Sequence, residues 1–214
     1  MIKIENTTIY GFEIATHITR SQMDSLDKSD TLFNHYYETW QIGESDLALM
    51  RKLAHSESDN SDFGRFIIVI TDITAPLYWW QELNIRKTDT THDLLDEPFK
   101  VSDFSWEKVL AFDNGSYIEE QLDIFNDLRD AYLRFDEYYA NGTLHKNLKS
   151  KKDVWYALIQ LLPSSYNQKH TMQFDYHMLS HIYRERKNNK FDEWNEFCAW
   201  IEKLPYFRDI YSEE

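Results

Sequence analysis

Apolar residues follow one another without a polar break from Phe66 to Ile70, in the order Phe-Ile-Ile-Val-Ile. A continuous run rich in β-branched residues is typical of a strand buried on both faces of a sheet. We therefore predict a central strand over residues 66–70. Thr8–Ile14 predicts a second short strand, and the polar stretch Ser21–Asp30 predicts a loop.

Elsewhere, apolar side chains recur at the three- and four-residue spacing of a helix. Leu47–Ala54 predicts a short helix with Ser45 as its cap, and Ala75-Pro76 suits the start of another. Ser116-Tyr117-Ile118-Glu119 is a capping box that opens a long helix, which Asn141-Gly142 ends. The inward stripe of that long helix comprises Leu122, Phe125, Leu128, Tyr132, Phe135 and Tyr139.

Three more helices are predicted in the last third of the chain. Their apolar faces run over Trp155–Leu162, Met172–Tyr183 and Trp194–Leu204, with Pro163 and Pro205 as stops. At 214 residues the chain suits one domain over residues 1–214, and it can bury a substantial core. The pattern predicts a helix-dominated α+β fold with a small sheet.

The stretch from Leu83 to Ser105 has no periodicity. A patternless segment of this length in a compact domain is usually a functional loop or a disordered one. It opens with the cations Arg86-Lys87 and the hydroxyls of Thr88, Thr90 and Thr91. Two cations beside hydroxyls suit a phosphate, although a solvated loop has the same composition.

The charge balance narrows the choice of partner. A net charge of −14 and a pI near 5.0 oppose binding to nucleic acids and to anionic membranes, since both present negative charge. If a phosphate ligand binds, it must do so in a small local pocket of Arg and Lys.

The chain has no apolar run near the roughly 18 residues of a membrane span. Its first residues show no secretory pattern, and its single cysteine, Cys198, cannot form an internal disulfide. We therefore expect a cytoplasmic protein. Cys198 lies on an apolar helical stripe, which favours a core position over a catalytic one.

Arg186 extends the apolar stripe of Leu179, Ile182 and Tyr183. A guanidinium at the edge of a buried face needs an anion, because an unpaired buried charge is costly. Its partner is either a carboxylate of this chain or the phosphate of a ligand.

Other titratable groups fit structural roles better. His177 and His181 lie four residues apart with Glu185 four further on, a spacing that suits a metal but favours a surface or stacking role here. No metal site is predicted. Lys146, Lys149, Lys151 and Lys152 form a basic cluster that predicts an exposed loop between helices.

Two segments resemble the flavin-dependent thymidylate synthases. The first, Phe66–Asp93, follows that family's order of strand, helix and R-H-R-x-x-S motif. Ile85, Arg86, Lys87 and Thr90 stand at the Arg, His, Arg and Ser of the motif, or Arg86, Lys87, Thr88 and Thr91 after a shift of one residue.

The second segment, about Trp155 to Trp200, resembles the family's Leu-Pro, Thr, N-x-R-x-L-x-x-F-x-x-L-R and A-Q-W-E-I sequence. Leu162-Pro163 and Thr171 match its beginning, and Glu193-Trp194 stand near the Gln-Trp. The positions between are filled by Asp175, His177, Leu179, Ile182 and Arg186. Ile159 stands where the family has an arginine, and Asp59-Asn60 stand where it has Glu-His.

The resemblance implies an α+β fold with a small, mainly antiparallel sheet, in a homo-oligomer such as a tetramer. It implies reductive methylation of dUMP, with FAD as cofactor and NADPH and methylenetetrahydrofolate as co-substrates. Catalytic roles fall to Arg186 and Thr90, and flavin contacts to Arg86, Lys87 and His177. Arg186, Lys87 and Glu193 would bind the substrate.

A nucleotide-binding or protein-interaction module without chemistry is the alternative. Loss of several charge-assisted hydrogen bonds, worth roughly 1.5–3 kcal/mol each, would abolish flavin affinity and leave the scaffold. Seven Trp and fourteen Tyr residues also suit a protein with an aromatic-rich interface.

Overall fold

The computed structural model describes residues 2–37, 39–56, 59–85, 92–96 and 116–212. The chain divides into two compact units. Unit 1 comprises Met1–Thr74, Glu82–Asp96 and Lys169–Glu214, and unit 2 comprises Ala75–Gln81 and Glu97–Gln168. The expectation of one domain over residues 1–214 stays a prediction.

The strands of the described residues form two sheets. In chain order they are β1 (Lys3–Tyr10), β2 (Leu32–Asn34), β3 (Thr39–Gln41), β4 (Ile68–Pro76), β5 (His92–Asp96) and β6 (Asn167–Asp175). The larger sheet has the order β1-β4-β6-β5, and β1 with β4 and β5 with β6 pair antiparallel. β2 and β3 form a separate antiparallel pair.

Helices make up most of the remaining described structure. They are α1 (Phe12–Gln22), α2 (Glu44–Ala54), α3 (Leu77–Ile85), α4 (Ser116–Leu133), α5 (Phe135–Ala140), α6 (Lys151–Leu161), α7 (Tyr176–Arg186), α8 (Asp192–Ile201) and α9 (Phe207–Tyr211). Within the described ranges, no helix is both long enough and apolar enough to cross a bilayer. The predicted α+β class, dominated by helices with a small antiparallel sheet, is confirmed.

The predicted central strand is confirmed in place but not in its burial. β4 lies between β1 and β6, yet it begins at Ile68, because Phe66 ends a 3-10 helix over Asp59–Phe66. Its side chains alternate between buried and partly exposed. Burial on both faces is therefore wrong, and only the face with Val69 and Ile73 belongs to the core.

In two predicted elements, part of the segment belongs to a different type of secondary structure. The strand expected over Thr8–Ile14 ends at Tyr10, because Gly11, with φ of 96°, turns the chain into α1. The helix expected from Met172 is wrong in its first part, which is β6. Helix α7 begins only at Tyr176, where the Asp175 carboxylate accepts a hydrogen bond of 2.7 Å from the Met178 N–H.

The start of α2 is capped from a distance. Ser45, the predicted cap, lies inside the helix, and Gly43 occupies the N-cap position. The carboxylate of Asp30 accepts hydrogen bonds from the backbone N–H groups of Ser45 (2.9 Å) and Asp46 (3.0 Å). A side chain remote in sequence therefore satisfies the helix end.

Unit 2 contains the contact between α4 and α6. The single long helix expected up to Tyr139 breaks at Arg134 into α4 and α5. The capping box over 116–119 has its side chains outside the described set. The core of this unit consists of Phe125 and Leu158, with Leu128, Tyr132, Trp155, Leu162 and Tyr166 packed against them.

Candidate functional site

The candidate site lies in unit 1, where Arg186 ends helix α7. Its Nη1 atom lies 2.7 Å from Oε2 of Glu82 on α3, which forms an ion pair between the two helices. The Arg186 side chain is 14% exposed and that of Glu82 is 30% exposed. Since the guanidinium is mostly withdrawn from water, removing its carboxylate partner should cost more stability than breaking a surface ion pair.

Trp194 on α8 completes the arrangement. The Cζ atom of Arg186 lies 4.4 Å from the centre of the Trp194 ring, which is a cation–π contact. The indole Nε1 donates a 3.0 Å hydrogen bond to the same Oε2 atom of Glu82. One carboxylate oxygen therefore accepts from both the guanidinium and the indole, and it holds three helices together.

The cavity beside this cluster is small, at about 20 Å³. That volume holds about one water molecule and excludes a phosphate group. The Nε atom of Arg186 is buried there and has no hydrogen-bond partner within the described part of the chain. The cavity is lined by Glu82, Leu83, Met178, Ile182, Glu185, Arg186 and Trp194.

In this conformation the structure distinguishes between the two expected partners of Arg186, a carboxylate of this chain and the phosphate of a ligand. Its position at the inward edge of the stripe is confirmed, and its partner is an internal carboxylate rather than an external anion. A phosphate reaches the guanidinium only after the Glu82 side chain moves away. The Nε–H of Arg186 has no partner among the described residues, so it can donate a hydrogen bond to another acceptor.

His177 lies at the opposite end of the same helix. Nine residues separate it from Arg186, which corresponds to about 14 Å along a helix axis. The structure does not bring these two predicted site residues together. His177 instead contacts His181, with 3.1 Å between their Nε2 atoms and 4.6 Å between ring centres.

The two histidine rings meet edge to face, and the expectation of a surface or stacking role for the pair stays a prediction. Burial first, and then the nearby charges of Arg184 and His177, lower the pKa of His181. Across the described ranges no group of three His, Cys, Asp or Glu side chains is arranged to hold a metal ion.

Glu193 is buried in the first turn of α8, next to Trp194, with 1% of its surface exposed. Its predicted substrate role stays a prediction. Arg86, Lys87 and Thr90, the other predicted site residues, lie outside the described residues. Helix α3 ends at Ile85, so Glu82 lies one turn before this segment.

Cys198 is buried in α8, as its apolar stripe predicts. Burial raises the pKa of its thiol to about 11, so the thiolate is scarce at neutral pH. This residue is a core side chain and not a nucleophile.

Glu82 is the residue of this cluster that the sequence patterns did not single out. It is the single acidic side chain of the α3 sequence LYWWQELNI, which is otherwise apolar or uncharged. An isolated carboxylate in such a helix is the signal that could have found it, because a buried charge needs a partner.

Comparison with solved structures places this geometry on a known fold. Thymidylate synthase X (ThyX) from Helicobacter pylori, solved with FAD and dUMP, superimposes with a TM-score of 0.65 at 14% sequence identity. The match covers 99% of this chain and 98% of the other. This chain has the fold of the flavin-dependent thymidylate synthases.

A second structure of the Helicobacter pylori enzyme with FAD and dUMP matches with a TM-score of 0.62 at 15% identity, covering 99% and 97% of the two chains. The UMP/dUMP methylase PolB from Streptomyces cacaoi, bound to 5-Br dUMP, matches with a TM-score of 0.53 at 12% identity, covering 99% and 95%. No family model and no curated protein matches the sequence. The flavin-dependent thymidylate synthase fold thus spans nearly the whole chain at low sequence identity.

Proposed function

We propose that this chain binds FAD and a uridine nucleotide, and that it catalyses the reductive methylation of dUMP. The observation that carries the proposal is the fold similarity over nearly the full length of enzymes solved with FAD and dUMP. Arg186 supports it, since it lies on the helix that resembles the family's nucleotide-binding motif.

Arg186 can hold a phosphate only if the Glu82 carboxylate moves away from it. The partnerless Nε–H and the Trp194 ring beneath the guanidinium suit a phosphate, whereas Glu82 and the small cavity exclude one. A phosphate that replaces the Glu82 carboxylate keeps the charge of Arg186 balanced. Because Glu82 is 30% exposed, it can turn into water at modest cost.

The remaining roles follow from the resemblance. Arg186 and Lys87 would hold the phosphate or the uracil carbonyls, and Arg86 with His177 would contact the flavin. Thr90 would orient the base, and Glu193 would contact the substrate. Bound FAD supplies hydride transfer, methylenetetrahydrofolate the carbon and NADPH the reducing equivalents, so the protein needs no nucleophile of its own.

Binding can be tested on the purified protein by flavin absorbance and by thermal unfolding with FAD, dUMP and deoxyuridine. We expect a yellow protein that dUMP stabilises by about 2.7 kcal/mol at a hundred times its Kd. Deoxyuridine, which lacks the phosphate, should stabilise it less, and Arg186→Ala should remove the difference. Conversion of dUMP to dTMP with NADPH and methylenetetrahydrofolate tests the reaction itself.

A second candidate is a nucleotide-binding or protein-interaction module that lacks the reaction. The Glu82–Arg186 pair favours it, because this pair closes the anion site without a ligand. Ile159 adds to it, since an apolar residue stands where the resemblance expects an arginine. A colourless protein that dUMP still stabilises identifies a nucleotide-binding module. Absence of any shift with nucleotides leaves a protein-interaction module.

We further propose a cytoplasmic homo-oligomer, with a tetramer expected from the resemblance. Light scattering coupled to size-exclusion chromatography measures the assembly directly. A monomer at micromolar concentration would contradict this part of the proposal and leave the binding tests unaffected.

A further inference from the structure

Unit 2 contains a second cleft, which the proposed reaction does not use. It is an open cleft of about 370 Å³ between α4 and α6, lined by Tyr132, Lys151, Lys152 and Trp155. The cleft is open to solvent, so a ligand there would be held by the four lining side chains rather than enclosed. None of these four residues belongs to the motif positions assigned to FAD or dUMP.

Within the described part of the chain, the two lysines of this cleft form contacts with aromatic rings and no ion pair. Lys151 Nζ lies 4.8 Å from the centre of the Tyr132 ring, and Lys152 Nζ lies 5.6 Å from that of Tyr156. Neither ammonium has a carboxylate within ion-pair distance among the described residues. Asp153, their neighbour in sequence, forms no ion pair with them and caps the helix instead.

The cap engages one oxygen of the Asp153 carboxylate, Oδ2. This oxygen accepts hydrogen bonds from the Ser150 hydroxyl (2.8 Å) and from the backbone N–H groups of Ser150 (2.8 Å) and Lys149 (3.0 Å). These hydrogen bonds, that of the Ser150 hydroxyl foremost, lower the pKa of Asp153. Two cations in the first turn also oppose the helix dipole. Their placement therefore costs stability that an anion would restore.

Aromatic surface lies beside these cations. Trp155 is half-buried, and its ring meets that of Tyr156 edge to face at 5.1 Å. Tyr132 and Trp155 both pack against the core formed by Phe125 and Leu158, which fixes their orientation. The cleft thus combines rigid ring surfaces with two ammonium groups that form no ion pair within the described ranges.

We propose that this cleft binds a nucleoside phosphate, with the base against the aromatic side chains and the phosphates at Lys151 and Lys152. Stacking accepts any planar base, and the ammonium groups accept phosphate oxygens. The net charge of −14 does not prevent this, because charges beyond about 8 Å are largely screened at physiological ionic strength.

Calorimetry with ADP, adenosine and pyrophosphate as separate probes tests the proposal. We expect ADP to bind, and adenosine and pyrophosphate to bind at least roughly tenfold more weakly. The double variant Lys151→Gln/Lys152→Gln should weaken ADP binding by roughly a hundredfold. Both lysines are exposed, so the variant should remain folded and unfold at a temperature no lower than that of the parent protein.

The matched control is Lys146→Gln/Lys149→Gln, which removes the same charge from exposed residues outside the cleft. It should retain ADP affinity within about threefold, as should Arg186→Ala, which separates this cleft from the site in unit 1. Three results would each overturn the proposal: no ADP binding, equal loss in the control, or pyrophosphate binding as tight as that of ADP.

Discussion

Glu82 and Arg186 form an ion pair of 2.7 Å that joins α3 to the last residue of α7. Trp194 contacts both partners, through a hydrogen bond to the carboxylate and a cation–π contact with the guanidinium. The pair neutralises the cation that the sequence marks as an anion site. Under the proposed function, breaking the pair would lower the stability of unit 1 and free Arg186 for the phosphate.

Glu82→Gln should separate these two effects. The amide keeps an acceptor for the Trp194 N–H but leaves Arg186 without its anion, so we expect a loss of about 1–2 kcal/mol in unfolding free energy. The affinity for dUMP should rise, because the phosphate no longer competes with a carboxylate. Chemical denaturation and calorimetry measure the two quantities. Lower stability without tighter dUMP binding would argue that the pair is purely structural.

Because of Asp46, the free energy of unfolding should decrease at acid pH. Asp46 pairs with Arg20, whose side chain is 6% exposed against 1% for Asp46 itself, and its Oδ2 accepts from the Thr31 and Ser29 hydroxyls. Burial acts to raise its pKa, but the hydrogen bonds from Thr31, Arg20 and Ser29 outweigh burial and lower it below 3.8. Its stabilisation is therefore complete above about pH 4–5 and is lost as the pH falls through the lowered pKa.

Asp46→Asn tests this dependence. At neutral pH the variant should lose about 3–5 kcal/mol, since Arg20 remains buried without an anion. The difference from the parent protein should shrink as the pH falls, because Asp46 then becomes neutral as well. Urea denaturation between neutral and acid pH gives both curves. A difference that stays constant with pH would show that folding does not shift the pKa of Asp46.

Gly11 should tolerate no side chain. A Cβ atom there would lie 1.9 Å from the Phe66 carbonyl oxygen, and the φ of 96° is unfavourable for other residues. Gly11→Ala should cost about 3 kcal/mol or more, because backbone must move. Gly142→Ala is the control, since its φ of 66° is strained but no atom lies within 4 Å of the Cβ position, and it should cost about 1 kcal/mol. Equal losses in the two variants would mean that the positive φ, and not the clash with Phe66, sets the cost of a side chain at Gly11.

Cys198 should react with thiol reagents only after the protein opens. With its pKa raised to about 11 by burial, the folded protein holds roughly a hundredfold less thiolate than an ordinary cysteine. We expect slow labelling of the native protein and fast labelling in denaturant. Cys198→Ala should leave ligand binding unchanged. Rapid native labelling would place the thiol near the surface.

Local pattern predicted much of the architecture. The apolar patterns at Leu47–Ala54, Trp155–Leu162 and Cys198 located two helices and a core position. The apolar run at 66–70 located β4, which begins only at Ile68. The helix predicted from Met172 was wrong in its first part, because the same apolar positions also suit a strand. The helix begins only after Asp175, which caps it. Short apolar segments carry this ambiguity inherently.

The sequence alone determined that Arg186 needs an anion, because a charge on an apolar stripe cannot remain unpaired. Which anion it meets was decided by the tertiary structure, which brings Glu82 to it from 104 positions earlier in the chain. The Asp30 cap of α2 and the Asp46 pair of Arg20 were decided in the same way. Residue patterns report burial and local hydrogen bonding, whereas long-range partners depend on how helices and strands pack.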